Sequence, residues 1–154
     1  MKKTPFSLFF FIISTTGTRI TVSFDISDNN GTITSPDFPS PYPKYIRRLW
    51  NITVPSGKQV KLHFISFHLH SSVIWKYDFV DIHDGPLPSS RVIVRMCGYQ
   101  RSEKLLYSSG RHLQIYFETD AHGSYPGFQV YYKAAGKWFQ RVSDRALKTQ
   151  DFRP

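Results

Sequence analysis

His68 and His70 lie two residues apart in a stretch rich in alternating apolar residues, so on a strand both imidazoles point to one face. His122 follows Asp120 at the same spacing. Imidazole nitrogen combined with carboxylate oxygen is a donor set that zinc accepts; the plainer alternative is histidines solvated on an exposed strand. Cys97 is the single cysteine. A thiol nucleophile would need it ionised, and the apolar run Val92-Ile93-Val94-Arg95-Met96 before it favours burial, which disfavours the thiolate. No H-E-x-x-H helix, G-x-S-x-G elbow or glycine-rich phosphate loop is present. These residues point to a binding protein without catalytic residues.

Two further sets bear on binding. Lys44, Arg47 and Arg48, then Arg91 and Arg95, then Arg101, Lys104 and Arg111 are basic clusters, the first interleaved with Tyr45. Gathered on one surface they would suit sulfated glycans; scattered, they are solvated charge. Asn30-Gly31-Thr32 and Asn51-Ile52-Thr53 are N-x-T sequons, so Asn30 and Asn51 are candidate glycosylation sites of a secreted chain.

The N-terminus supports that compartment. Lys2 and Lys3 precede the apolar run Phe6 to Ile13 and a small polar stretch, Ser14 to Thr18. This is the pattern of a secretory signal peptide, expected over residues 1–17, and the run is too short to span a bilayer. The formal charge of +9 falls to about +7 without the two leader lysines. For a secreted basic protein, acidic glycans and acidic protein faces are the expected partners, with no nucleic acid and no transmembrane anchor. A secreted domain with one cysteine is unusual, because small extracellular domains ordinarily carry paired cysteines.

The elements that must position these residues are short strands. Aromatic residues make up 16% of the chain, with 13 Phe and 9 Tyr, a composition suited to pleated, half-buried surfaces. Prolines make Ser35 to Pro43 extended and irregular. Leu49 to Val54 reads as a strand ended by the turn Pro55-Ser56-Gly57. In the next strand the apolar phase runs through Val60, Leu62 and Phe64 and then jumps to Phe67 and Leu69, which predicts a β-bulge. Tyr77 to Ile82 follows, and Val92 to Cys97 reads as a core strand. Leu113, Ile115 and Phe117 alternate with Gln114, Tyr116 and Glu118; Phe128, Val130 and Tyr132 alternate with Gln129, Tyr131 and Lys133. One buried and one wet face on each predicts an all-β, antiparallel β-sandwich. The segment after Gly136 is basic and poor in apolar groups, and reads as a flexible tail.

Several fragments, in order, resemble the CUB domain family. Gly31-Thr32-Ile33-Thr34-Ser35-Pro36 with Phe38-Pro39 and Tyr42-Pro43 is similar to its opening; Leu49-Trp50-Asn51-Ile52 with Pro55 and Gly57 to its next strand and turn. Phe67 with Leu69, Tyr77-Asp78-Phe79-Val80, Asp84-Gly85, Cys97-Gly98, Ser108-Ser109, Phe117 to Asp120, and Gly127-Phe128 with Tyr131-Tyr132 continue the series. The resemblance implies jelly-roll topology and a division into an N-terminal extension and first strand over 18–29, the CUB domain over 30–134 and a basic tail over 135–154. It also implies two disulfides that this chain lacks. Trp75 stands where the partner of Cys97 is expected, and Leu49 stands at another cysteine position.

What the family does is implied only by that resemblance. Some CUB domains bind calcium and use the ion to anchor a basic side chain of a partner protein. By position, Tyr42, Asp78 and Asp120 match that site, while His70 replaces its glutamate. Calcium prefers six to eight oxygens, so weak Ca2+ affinity is expected, and zinc at His70, Asp78, Asp120 and His122 is the lesser expectation. The function implied is extracellular protein–protein interaction through loops bearing Tyr42, His70 to Asp78, and Asp120 to Tyr125. Two alternatives are a spermadhesin-like protein that binds glycans or heparin, and an accessory-module fragment of a secreted protease.

Overall fold

The computed structural model describes residues 12–15, 20–71, 77–100, 104–122 and 124–136. Among them ten strands form: β1 (Ile12–Thr15), β2 (Ile20–Ile26), β3 (Asn30–Thr34), β4 (Arg47–Thr53), β5 (Lys58–His68), β6 (Phe79–His83), β7 (Val92–Met96), β8 (Leu105–Tyr107), β9 (His112–Glu118) and β10 (Gly127–Gly136). They make a six-stranded sheet in the order β1-β2-β4-β9-β6-β7 and a four-stranded sheet in the order β3-β10-β5-β8. The expected all-β jelly-roll sandwich is what the chain forms.

Period-two alternation builds the interior. Leu113, Ile115 and Phe117 of β9 and Phe128, Val130 and Tyr132 of β10 are all buried, facing each other from opposite sheets. Phe128 occupies the centre: its ring centroid lies 5.4 Å from Phe117, 5.8 Å from Trp50, 6.2 Å from Phe67 and 6.3 Å from Phe64. Offset and edge-to-face aromatic contacts at these spacings add to the area they bury.

The bulge falls where the apolar phase changes. Opposite β10, Gln129 pairs with Ser66 and Val130 with Phe64, so Ile65 is the extra residue of β5 and is exposed. Val60, Leu62 and Phe64 before it and Phe67 and Leu69 after it are all buried. Without the bulge the even-numbered phase would carry His68 and His70 into the core; the single-residue slip turns them outward.

Three features depart from the sequence expectation. The sheets are not wholly antiparallel, because β2 runs parallel to β4. Strand β7 is the edge of its sheet and not a core strand: Val92 is exposed, while Met96 and Cys97 at its end are buried. The outer face of β9 is not wet throughout, since Gln114 is 3% exposed. Its register neighbours on that face are Asn51 of β4 and His83 of β6, so a row of polar side chains covers it. Separately, Ile12–Thr15, within the segment expected as a leader, pairs antiparallel with β2. Residues 1–11, Trp75, Arg101 and the tail from 137 lie outside the described residues.

Two substitutions test this core. Phe128→Ala should cost about 3–5 kcal/mol, because it empties the space between four rings. Leu105→Ala, at an exposed position, should change stability by less than about 0.5 kcal/mol. Urea unfolding of both variants, followed by tryptophan fluorescence, measures the difference.

Candidate functional site

Loops from both sheets converge beyond the ends of β5 and β9. Tyr42 comes from the segment between β3 and β4, His70 from just past β5, Asp78 from just before β6, and Asp120 and His122 from just past β9. Tyr42 is buried, its ring edge-on to Phe117 at 5.4 Å, and is therefore anchored in the core. Ser35 and Gly127 fasten the neighbouring chain: Ser35 N–H donates to the Phe128 carbonyl and Phe128 N–H to Ser35 Oγ, both at 3.0 Å. Gly127 has φ of 90°, and a Cβ there would stand 1.9 Å from Ser35 Oγ, so both the conformation and the close approach require glycine.

The Tyr42 hydroxyl donates to Asp78 Oδ2 at 2.7 Å and accepts from His70 N–H at 3.0 Å. Asp78 Oδ1 accepts from Asp120 N–H at 2.8 Å. Asp120 in turn accepts from His122 through both carboxylate oxygens, Oδ1 from the backbone N–H at 2.6 Å and Oδ2 paired with Nδ1 at 3.1 Å. Its own carbonyl accepts from Tyr45 N–H at 3.1 Å. The sequence-assigned residues Tyr42, Asp78, Asp120 and His122 thus form one hydrogen-bonded chain.

Burial dominates the electrostatics of its inner end. Desolvation raises the Asp78 pKa, opposed by the hydrogen bonds from Tyr42 and Asp120, and it raises that of Tyr42 far above the ordinary phenol value. At Asp120 desolvation also acts upward, but the hydrogen bonds from His122 outweigh it and the pKa is lowered. The chain therefore runs from a buried carboxylate that resists ionisation to a more open one that holds its charge.

Beside it runs a series of ring contacts that residue spacing did not disclose. Tyr99 meets His68 (centroids 5.4 Å apart), His68 meets Tyr125 (4.8 Å), Tyr125 meets His70 (5.8 Å), His70 meets Tyr77 (6.3 Å) and Tyr77 meets His122 (5.5 Å). Tyr99 is 69% exposed. It arrives here through a single bridge between His68 and Tyr99, backed by a bond from Leu69 N–H to the Gly98 carbonyl. Its place is not marked by any sequence signal.

For calcium, the two carboxylates of Asp78 and Asp120 fall short of the six to eight oxygens it prefers. The carboxylate oxygens of Asp78 and Asp120 already accept protein hydrogen bonds, and His70 Nδ1 is buried without a hydrogen-bond partner. Among the described residues no group of three or more His, Cys, Asp or Glu side chains is disposed to hold a metal. His68 faces Tyr99 and Tyr125 and is not among the hydrogen-bonded carboxylate ligands.

The basic residues are dispersed. Arg47 pairs with Glu118 at 3.0 Å, Arg91 with Asp84 at 3.0 Å, and Arg95 with both oxygens of Asp81 at 2.7 and 2.6 Å. Arg48 shares the inward face of β4 with Trp50 and is partly desolvated, while Arg111 donates to the Val54 carbonyl. Lys44 is exposed on the β3–β4 segment and Lys104 precedes β8, on the other sheet from Arg47 and Arg95. The two sequons also differ. Asn30 is exposed, whereas Asn51 Nδ2, the atom a glycan would take, donates to Ser23 Oγ and Asp25 Oδ1 within the sheet.

Tyr42→Phe removes one donor and one acceptor from this buried chain and should cost about 1–3 kcal/mol at neutral pH. The folded-state pKa of Asp78 is already raised, and loss of the Tyr42 bond raises it further. The folded state then binds a proton more readily than the unfolded one, so the penalty is full while Asp78 is ionised and shrinks as pH falls through its folded pKa. Urea midpoints of both proteins at neutral and mildly acidic pH check the sign.

Comparison with known proteins agrees with this architecture. The CUB domain family matches residues 19–132, a span that includes β2. Cubilin of Canis lupus familiaris is 36% identical over 110 residues, covering 70% of this chain and 3% of that protein. Procollagen C-endopeptidase enhancer 2 of Homo sapiens is 37% identical over 110 residues, covering 71% of this chain and 26% of that protein. The chain therefore spans only a small part of these relatives. The crystal structure of the MASP-1 CUB2 domain bound to Ca2+ superposes with a TM-score of 0.61 at 32% identity, covering 71% of this chain and 96% of that one. By sequence match and by fold, this chain belongs to the CUB domain family.

Proposed function

We propose that the chain is a secreted, non-catalytic interaction module that presents its loop end to another extracellular protein. The observation that carries this reading is the run of six rings from Tyr99 to His122 set beside the Asp120 carboxylate. Tyrosines are enriched where protein interfaces concentrate their binding energy, because they bring large area at small entropic cost. Recognition commonly resides on loops held by a rigid scaffold, and Tyr42, anchored against Phe117, ties these loops to theirs.

Asp120 sets the partner's chemistry. It holds its charge, and its Oδ2 is paired with the ring of the exposed His122, so a lysine or arginine side chain of the partner that takes the place of that ring would meet a carboxylate beside the run of tyrosine rings. Such a cation gains from both the charge and the ring faces. The heparin-type alternative draws less support, since Arg47, Arg91 and Arg95 already have carboxylate partners. Secretion through the leader at 1–17 and a glycan on Asn30 complete the reading.

Titration of the isotope-labelled protein with N-acetyl-lysine methylamide, followed by amide shifts, tests it. Shifts should cluster at Tyr77, Tyr99, Asp120, His122 and Tyr125, be absent with the norleucine analogue, and fall at least about tenfold in apparent affinity in Asp120→Asn. Equal response to lysine and norleucine, or shifts remote from these loops, would overturn the proposed recognition.

A further inference from the structure

We infer that this CUB domain organises its loop end without calcium, and that His70, which brings no oxygen beside Asp78 and Asp120, is the residue that keeps the ion out. The related MASP-1 CUB2 structure is described as bound to Ca2+, at 32% identity and over 71% of this chain. Here Asp78 and Asp120 are tied into the protein's own hydrogen bonds. Asp78 gives one oxygen to Tyr42 and the other to Asp120 N–H, and Asp120 gives both to His122. Beside these bonds a calcium ion would find only two carboxylates, against the six to eight oxygens it prefers.

His70 supplies the positive argument. Its ring packs against Tyr125 at 5.8 Å and Tyr77 at 6.3 Å, part of the aromatic run and not of the hydrogen-bonded chain. Its Nδ1 is buried without a hydrogen-bond partner, a cost accepted in exchange for ring packing. The position is nonetheless close to the carboxylates: the His70 backbone N–H donates to the Tyr42 hydroxyl, which itself donates to Asp78. An oxygen-bearing side chain at residue 70 would therefore join two carboxylates already brought together. Tyr42, Asp120 N–H and His122 do for the carboxylates what a cation would otherwise do, which is to satisfy lone pairs that burial has stripped of water.

This arrangement makes calcium binding a property that one substitution should restore. Thermal melts of the leader-free protein in millimolar calcium and in chelator should have the same midpoint, and calorimetry with calcium chloride should show no saturable heat. His70→Glu should acquire a saturable, chelator-reversible rise of at least about 4 °C, since a ligand that binds only the folded state raises its stability. His70→Gln, which offers an amide oxygen without added charge, is the second variant should the first not fold; it should show a smaller rise of the same kind. A calcium-dependent midpoint in the unsubstituted protein would overturn the inference. Folded His70→Glu and His70→Gln proteins that both ignore calcium would overturn the assignment to His70. The melts require no partner, so their outcome is independent of lysine recognition at Asp120.

Discussion

Phe128 is the contact on which the two sheets depend. A domain with one cysteine has no crosslink within itself to limit the unfolded chain, so interior packing must carry what disulfides carry in other small extracellular domains. Phe117 and Trp50 reach Phe128 from the six-stranded sheet, and Phe64 and Phe67 flank it in its own. Rings fill such a space because their quadrupoles favour edge-to-face and offset packing at the separations seen here.

Core and loop end are joined through one side chain. Tyr42 lays its ring against Phe117 and points its hydroxyl at Asp78, so packing in the interior sets the position of the hydrogen-bonded chain outside it. The buried Asp78 is thereby held by two donors despite its desolvation, and Asp120 is left at the rim with its charge. The β-bulge at Ile65 performs the complementary task on β5, keeping Phe67 and Leu69 in the core while His68 and His70 face the tyrosines. One added residue decides whether those imidazoles are interior or surface groups.

Much of this was legible from residue order. The phase jump between Phe64 and Phe67 announced the bulge, and the alternation in Leu113 to Glu118 and in Phe128 to Lys133 announced two sheets. Tyr42, Asp78 and Asp120, singled out by motif, are linked by hydrogen bonds in the fold. Other features were not legible. The apolar run Val92 to Met96 reads as a core strand, yet it forms a sheet edge, because hydrophobicity does not say how many neighbours a strand has. Gln114 reads as a wet position and is buried among Asn51 and His83, which belong to strands distant in sequence. Tyr99 carries no motif and reaches the site through its bridge to His68 and the backbone bonds of Gly98 and Gln100 beside it.

The amino-acid sequence by itself determined the inward faces of β5, β9 and β10 and the absence of an internal disulfide, because side-chain period and residue counts are local properties. Tertiary structure alone decided that the aspartates spend their oxygens on each other's neighbours, that basic side chains disperse into separate ion pairs, and that three tyrosines and three histidines line up at one end. Those outcomes depend on which strands become neighbours and in what register, and a hydrogen bond or ring contact exists only within a few ångströms of its partner.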